Sequence, residues 1–190
     1  MRFFVASTFE PGFVKNLEAI AGRARELSRP AAVKWTAPGN FHITYAFLGE
    51  LDGSAADAAA RGLEAGLEGI RTFSVSSGGF GVFPSSGRPS VLWVGIDEGA
   101  DELRRVAAKL AEGLAAEGLV FEKRFEPHVT IGRVKGALPD DFLGRAGDFA
   151  RSKRSVSEIS RVELIESVPA PGGPAYRQVY SKRLSGSGPL

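Results

Sequence analysis

Two stretches of this chain carry the same chemical core: Phe41-His42-Ile43-Thr44-Tyr45-Ala46-Phe47-Leu48-Gly49 and Pro127-His128-Val129-Thr130-Ile131-Gly132-Arg133. Each contains His, apolar, Thr, apolar. On an extended strand, side chains two apart share a face, so each stretch presents an imidazole beside a hydroxyl while its apolar residues turn to a packed support. The chain has two histidines, and both sit in such a unit. With five threonines among 190 residues, chance would put a threonine two places after both histidines in about 1 of 1,400 arrangements. The matched pair calls for a duplicated fold that brings the two strands together as one site.

The chain can bury the core such a fold needs. With 43% apolar and 24% charged residues it has the balance of an ordinary globular protein. One domain is expected over residues 1–184, with a flexible tail at 185–190. No apolar run reaches the roughly 18 residues of a membrane span, and Phe3-Phe4-Val5 passes to Glu10 and Pro11 too soon for a signal peptide. A cytoplasmic protein that avoids membranes is therefore expected. The absence of cysteine excludes disulfides, thiolate chemistry and cysteine-containing zinc sites. A net charge of +2 does not announce a nucleic-acid binder, so any RNA contact must be local.

Along the chain, residues 2 to 8 read as a strand. Pro11 then opens a helix whose apolar stripe includes Phe13, Leu17, Ile20, Ala24 and Leu27. Val33 to Thr36 is a short strand, and Pro38-Gly39 turns the chain into the His42 strand. Ser54 and Asp57 resemble a capping box ahead of a second helix, weakened by its glycines. Strand character returns at Phe73 and Val75, Gly78-Gly79 breaks it, and a polar loop from Ser85 to Pro89 leads to the apolar strand at residues 91 to 96. Leu103, Val106, Leu110 and Leu114 mark a third helix ending at Gly118, ahead of the His128 strand. Residues 136 to 155 show little periodicity and are read as a loop anchored by Phe142, Leu143 and Phe149. Two last strands follow, at residues 159 to 168 and 176 to 184. Helix then His strand occurs twice, which reads as an α+β fold of two pseudo-symmetric lobes with mainly antiparallel sheets, outer helices and a cleft between them.

Imidazole titrates near about pH 6.5, so of two histidines one can hold a proton while the other accepts one. Set on opposite sides of a phosphorus atom, one takes a proton from water while the other protonates the departing oxygen. Each transfer is worth about a hundred- to ten-thousand-fold. The threonine hydroxyls would donate to the non-bridging oxygens where charge gathers. A strained cyclic phosphate suits this pair, because water is the only nucleophile required. Acyl transfer has no support, since neither histidine accompanies a Gly-x-Ser-x-Gly segment. A lone strand histidine is more often structural, but that reading does not explain a matched pair. A metal site lacks a third ligand, with Glu50 and Glu126 the nearest carboxylates in sequence.

The motifs extend into a wider pattern: Val33-Lys34-Trp35, Pro38-Gly39-Asn40-Phe41-His42-Ile43-Thr44, Phe47-Leu48-Gly49-Glu50, Gly81-Val82-Phe83-Pro84, Val91-Leu92-Trp93-Val94-Gly95 and Arg124-Phe125-Glu126-Pro127-His128-Val129-Thr130. This ordered set resembles the 2H phosphoesterases, in particular the RNA 2',3'-cyclic phosphodiesterase branch once called 2'-5' RNA ligases. The resemblance runs from Phe3 to about Leu184. It implies a bilobal fold with the site in the cleft, His42 as proton donor to the leaving 3' oxygen and His128 as the acceptor that activates water. Thr44 and Thr130 carry over as phosphate-binding hydroxyls. Arg133 carries over as a further phosphate contact only if a bulge or strand end turns it, because strict alternation puts it opposite His128 and Thr130. The implied substrate is RNA with a 2',3'-cyclic phosphate end or a related cyclic nucleotide, and the product is a 2'-phosphomonoester. No metal, cofactor or obligate protein partner is expected. The alternatives are a 2H enzyme acting on a small cyclic nucleotide phosphate, one that ligates RNA ends through a 2'-5' linkage, or a noncatalytic RNA-end binding module. For base stacking, Trp35, Phe83 and Trp93 read more as core than as platform. The basic clusters Lys123-Arg124, Arg151-Ser152-Lys153-Arg154 and Lys182-Arg183 read equally as guides for RNA and as solvated surface.

Overall fold

The computed structural model describes residues 1–30, 32–85, 88–171 and 173–186. The chain order is β1 (Arg2–Ser7), α1 (Pro11–Leu27), β2 (Val33–Trp35), a 3₁₀ turn (Pro38–Asn40), β3 (Ile43–Glu50), α2 (Gly53–Gly66), β4 (Phe73–Ser85), β5 (Arg88–Ile96), α3 (Ala100–Ala116), β6 (His128–Val134), α4 (Phe142–Ser152), β7 (Val156–Ile159), β8 (Arg161–Val168) and β9 (Ala175–Arg183). The strands form two sheets, one ordered β3-β1-β8-β9 and the other β2-β6-β5-β4-β7. Every pairing within them is antiparallel. This is the two-lobed α+β arrangement expected from the duplication.

Each lobe lends a helix to the other. α1 leaves β1 of the four-stranded sheet but packs with α4 and touches β6 and β7 of the five-stranded sheet. α3 leaves β5 of the five-stranded sheet and packs with α2 and β3 on the other side. One hydrophobic cluster therefore includes residues of both sheets and all four helices, among them Phe13, Ile43, Leu63, Leu92, Leu110, Ile131 and Phe142. The helices cover the outer faces, and the inner faces carry the two His-Thr pairs.

Several local expectations change in the folded chain. The cap of α2 is Asp52, whose carboxylate accepts from the Ala55 N–H at 2.8 Å, while Ser54 donates to Asp52 rather than capping. The glycines read as weakening this helix are its contact surface. A Cβ on Gly66 would lie 2.6 Å from the Lys109 carbonyl oxygen, and one on Gly113 of α3 would lie 2.3 Å from that of Gly62. α2 and α3 thus meet backbone to backbone.

Gly78-Gly79 does not end a strand. β4 runs through it with a bulge between Ser77 and Phe80, pairing with β7 before the bulge and with β5 on both sides of it. Of the polar loop, β4 extends to Ser85 and β5 begins at Arg88, and residues 86 and 87 lie outside the described residues. The stretch read as a loop contains α4, which buries Phe142, Ala146 and Ala150 on one side. Strand character at residues 159 to 168 divides at Ser160, where the chain passes from β7 in one sheet to β8 in the other. Ser185, placed in the tail, is bridged to Arg71, with its N–H donating to the Ile70 carbonyl at 2.9 Å. Residues 187–190 lie outside the described residues.

Candidate active site

His42 stands between the 3₁₀ turn and β3, and its Nδ1–H donates to the Asn40 carbonyl at 2.7 Å. His128 opens β6, and its Nδ1–H donates to the Glu126 carbonyl at 2.7 Å. Each imidazole bonds the main chain two residues back. A carbonyl can only accept, so both rings hold hydrogen on Nδ1, and Nε2 is the nitrogen that the main chain leaves free. Their walls are aromatic. The ring of His42 lies 4.9 Å from Phe4 and 5.4 Å from Tyr176, the latter edge-on, and His128 meets Phe83 edge-on at 4.8 Å.

These walls set the protonation. Burial pushes the His42 imidazole below its ordinary pKa, the Asn40 carbonyl bond pulls it partly back, and the charge of His128 lowers it again. Burial also lowers His128, against the opposing pull of the Glu126 carbonyl and carboxylate. The two imidazoles are thus close enough to feel one another. Neutral imidazole is the favoured resting form of both.

A bulge follows each threonine. Where β3 meets β1, Thr44 pairs with Ala6 and Ala46 with Val5, leaving Tyr45 extra. Where β6 meets β5, Thr130 pairs with Trp93 and Gly132 with Leu92, leaving Ile131 extra. Two consecutive residues then face the core, Tyr45 with Ala46 and Ile131 with Gly132, all buried. The next residue returns to the cleft. It is Phe47 in one lobe and Arg133 in the other. Both line the cavity of about 230 Å³ that also contains His42, Thr44, Thr130 and Tyr176. The bulge required to turn Arg133 toward the threonines is therefore present.

Four of the five residues singled out from sequence share this cavity. His128 borders a second hollow of about 220 Å³ with Phe83, Trp93 and Glu126. It lies two places before Thr130 on the same face of β6, which links the two spaces. Larger hollows, of about 440 Å³ beside α3 and about 740 Å³ beside Met1 and Pro169, contain no histidine.

Sequence reasoning missed Phe47 and Tyr176. Phe47 on the edge strand β3 is a large aromatic yet 68% exposed, because the bulge turns it from the core face. Tyr176 lies on β9, and the loop before it is tied in by Asn40, whose side-chain amide donates to the Pro174 carbonyl at 3.1 Å. Of the aromatics considered for stacking, Trp35 touches the cavity but lies under Arg25 of α1, 5.6 Å from its ring centre. Trp93 lies over Gly81, where a Cβ would come within 2.3 Å of the indole. Phe83 packs against it at 5.2 Å.

A family model described as the 2'-5' RNA ligase superfamily matches residues 13–167. The chain belongs to that superfamily, the 2H phosphoesterases. Among the superfamily's members, a Thermotoga maritima protein named RNA 2',3'-cyclic phosphodiesterase is 31% identical over 186 residues, covering 98% of this chain and 97% of that protein. An Aeropyrum pernix protein of the same name is 37% identical over 154 residues, covering 78% of this chain and 85% of its own. The 2H fold is also seen in the crystal structure of TT0787 of Thermus thermophilus, with a TM-score of 0.75 at 23% identity, over 99% of this chain and all of that one. Among the described residues, no helix is long and apolar enough to cross a membrane.

Proposed function

We propose that this protein hydrolyses RNA 2',3'-cyclic phosphate ends to 2'-phosphomonoesters, with His42 and His128 as its acid and base. The observation that carries this reading is the shared setting of the two imidazoles, each holding Nδ1–H on its own main chain, leaving Nε2 free, and bordering a hollow beside the threonine strands. A phosphate-binding module has no need of two such rings.

In the reaction, His128 Nε2 takes a proton from water as the water oxygen attacks phosphorus. The P–O3' bond breaks in line with the attack. O3' leaves with the proton supplied by His42 Nε2, giving a 3'-hydroxyl and a 2'-phosphate. Thr44, Thr130 and Arg133 donate to the non-bridging oxygens, where negative charge accumulates. Phe47 offers an exposed ring face to the terminal base. Because both free imidazoles favour the neutral form, the anionic phosphate itself helps His42 acquire its proton on binding. With RNA ends as substrate, the reaction is placed in the cytoplasm.

The test is to incubate the protein, in EDTA, with an oligoribonucleotide ending in a 2',3'-cyclic phosphate and to resolve the product isomers. A 2'-phosphate that disappears in His42→Ala and His128→Ala is expected. A cyclic end that persists while the RNA is bound would overturn hydrolysis in favour of a binding module. Turnover of small cyclic nucleotides alone, or joined products with 2'-5' linkages, would redirect the reading to those reactions.

A further inference from the structure

The cations singled out by local clustering are largely neutralised. Arg151 pairs with Asp148 at 2.6 Å, Arg154 with Glu98 at 3.0 Å and Lys182 with Glu64, while Lys153 lies over the Phe149 ring. Lys123 borders the groove beside α3 rather than the cleft. The situation at the cleft is the reverse. Lys34 and Arg133 both line the His42 cavity, no carboxylate lines it among the described residues, and neither cation has an ion-pair partner among them.

Lys34 on β2 stands directly opposite Arg133 on β6 in the antiparallel register. Directly opposed residues project from the same face, and like charges so placed destabilise a sheet. A fold keeps such a conflict where a ligand relieves it. The hollow bordered by His128 differs: no cation lines it among the described residues, Asp97 stands on its wall, and Glu126 there pairs with Arg104 at 3.2 Å. Anionic backbone is therefore attracted to the Lys34 side of the phosphorus.

We infer that Lys34 binds the phosphodiester immediately 5' of the terminal nucleoside, so that the site prefers an oligoribonucleotide end to a lone nucleoside 2',3'-cyclic phosphate. The inference rests on the hydrolase reading, which gives Arg133 the cyclic phosphate and Phe47 the base. β2 lies one strand outboard of β6, a step of about 4.8 Å, and the four-carbon stem of lysine adds the reach to a neighbouring phosphate. β2 is also the edge of its sheet, so no further strand lies beyond it among the described residues. The hollow at His128, on the far side, offers RNA backbone no lining cation among the described residues.

The experiment compares kcat/KM for a diadenylate ending in a 2',3'-cyclic phosphate with that for adenosine 2',3'-cyclic phosphate, in wild type, Lys34→Ala and Lys34→Arg. The two probes differ by one internal phosphodiester. The preference ratio is expected to fall about five- to tenfold in Lys34→Ala, through KM, and to recover largely in Lys34→Arg. The salt dependence of kcat/KM for the dinucleotide should become shallower by about 0.7 in log–log slope, the loss of one phosphate contact on a single strand. A ratio that stays at the wild-type value, whether both activities fall or neither does, overturns the inference and leaves Lys34 as a charge guarding a sheet edge. A wild type that turns over neither probe removes the hydrolase reading and the inference with it. That failure is visible before any variant is made.

Discussion

At His42 and His128, a carbonyl two residues back fixes which nitrogen carries hydrogen and which is left free, and burial among neighbouring rings decides how readily the imidazole is protonated. Both imidazoles lie below their ordinary pKa in the free protein. The pH profile of kcat/KM should therefore be a bell centred on the acid side of about 6.5, the ordinary imidazole value. A profile centred well above that, measured on the cyclic-ended oligonucleotide, would contradict the assigned environments. Removing either imidazole should lower kcat by about a hundred- to ten-thousand-fold while the thermal transition stays cooperative. Loss of the transition along with activity would instead mark a structural histidine. Thr44→Val and Thr130→Val should be milder, each costing about 1–3 kcal/mol of transition-state binding, read as ΔΔG‡ from kcat/KM.

At the scale of elements, the bulges after Thr44 and Thr130 aim Phe47 and Arg133 into the cleft. Alternation alone sends both away, and a bulge depends on which strand lies alongside, here β1 and β5. Sequence could therefore name the condition for Arg133 but not decide it. α4 went unread for a local reason. Its buried positions Phe142, Ala146 and Ala150 are four apart, but Gly144 and Gly147 and the two small alanines mute the hydrophobic stripe. The glycines of α2 and α3 give a prediction with competing terms. Gly113→Ala gains about 1 kcal/mol of helix propensity, but its Cβ would lie 2.3 Å from the Gly62 carbonyl oxygen, which is backbone and cannot rotate away. Overpacking costs about 1–3 kcal/mol, with contact this short at the upper end. A net loss of about 2 kcal/mol in denaturant unfolding is expected, and an unchanged or raised midpoint would show that the helices can separate at little cost.

For the whole molecule, the histidines couple folding to pH. A group whose folded pKa lies below its unfolded value binds its proton less readily when folded. Its contribution is complete above the unfolded value, near about 6.5, and is lost as pH falls toward the lowered folded value. Thermal stability should decline on acidification from about pH 6.5, and the decline should flatten in the double variant His42→Asn, His128→Asn. An equal slope in the double variant would place the acid sensitivity elsewhere. The exchange of helices between lobes ties the two His strands into one hydrophobic cluster, so their separation is set by the core rather than by a mobile hinge.

The sequence alone determined which residues pair at the proposed site and the duplicated plan, because the period of a strand puts His and Thr on one face and the same short pattern occurs twice. It also located most helices, whose periodic stripes are local properties. Tertiary structure decided what depends on distant neighbours. The strand beside each motif makes the bulge, β9 delivers Tyr176, and carboxylates brought from distant parts of the chain pair with Arg154 and Lys182 of the conspicuous basic clusters. Lys34 and Arg133 are left as opposed charges with no ion-pair partner among the described residues, a relation between residues about a hundred positions apart that only strand pairing creates.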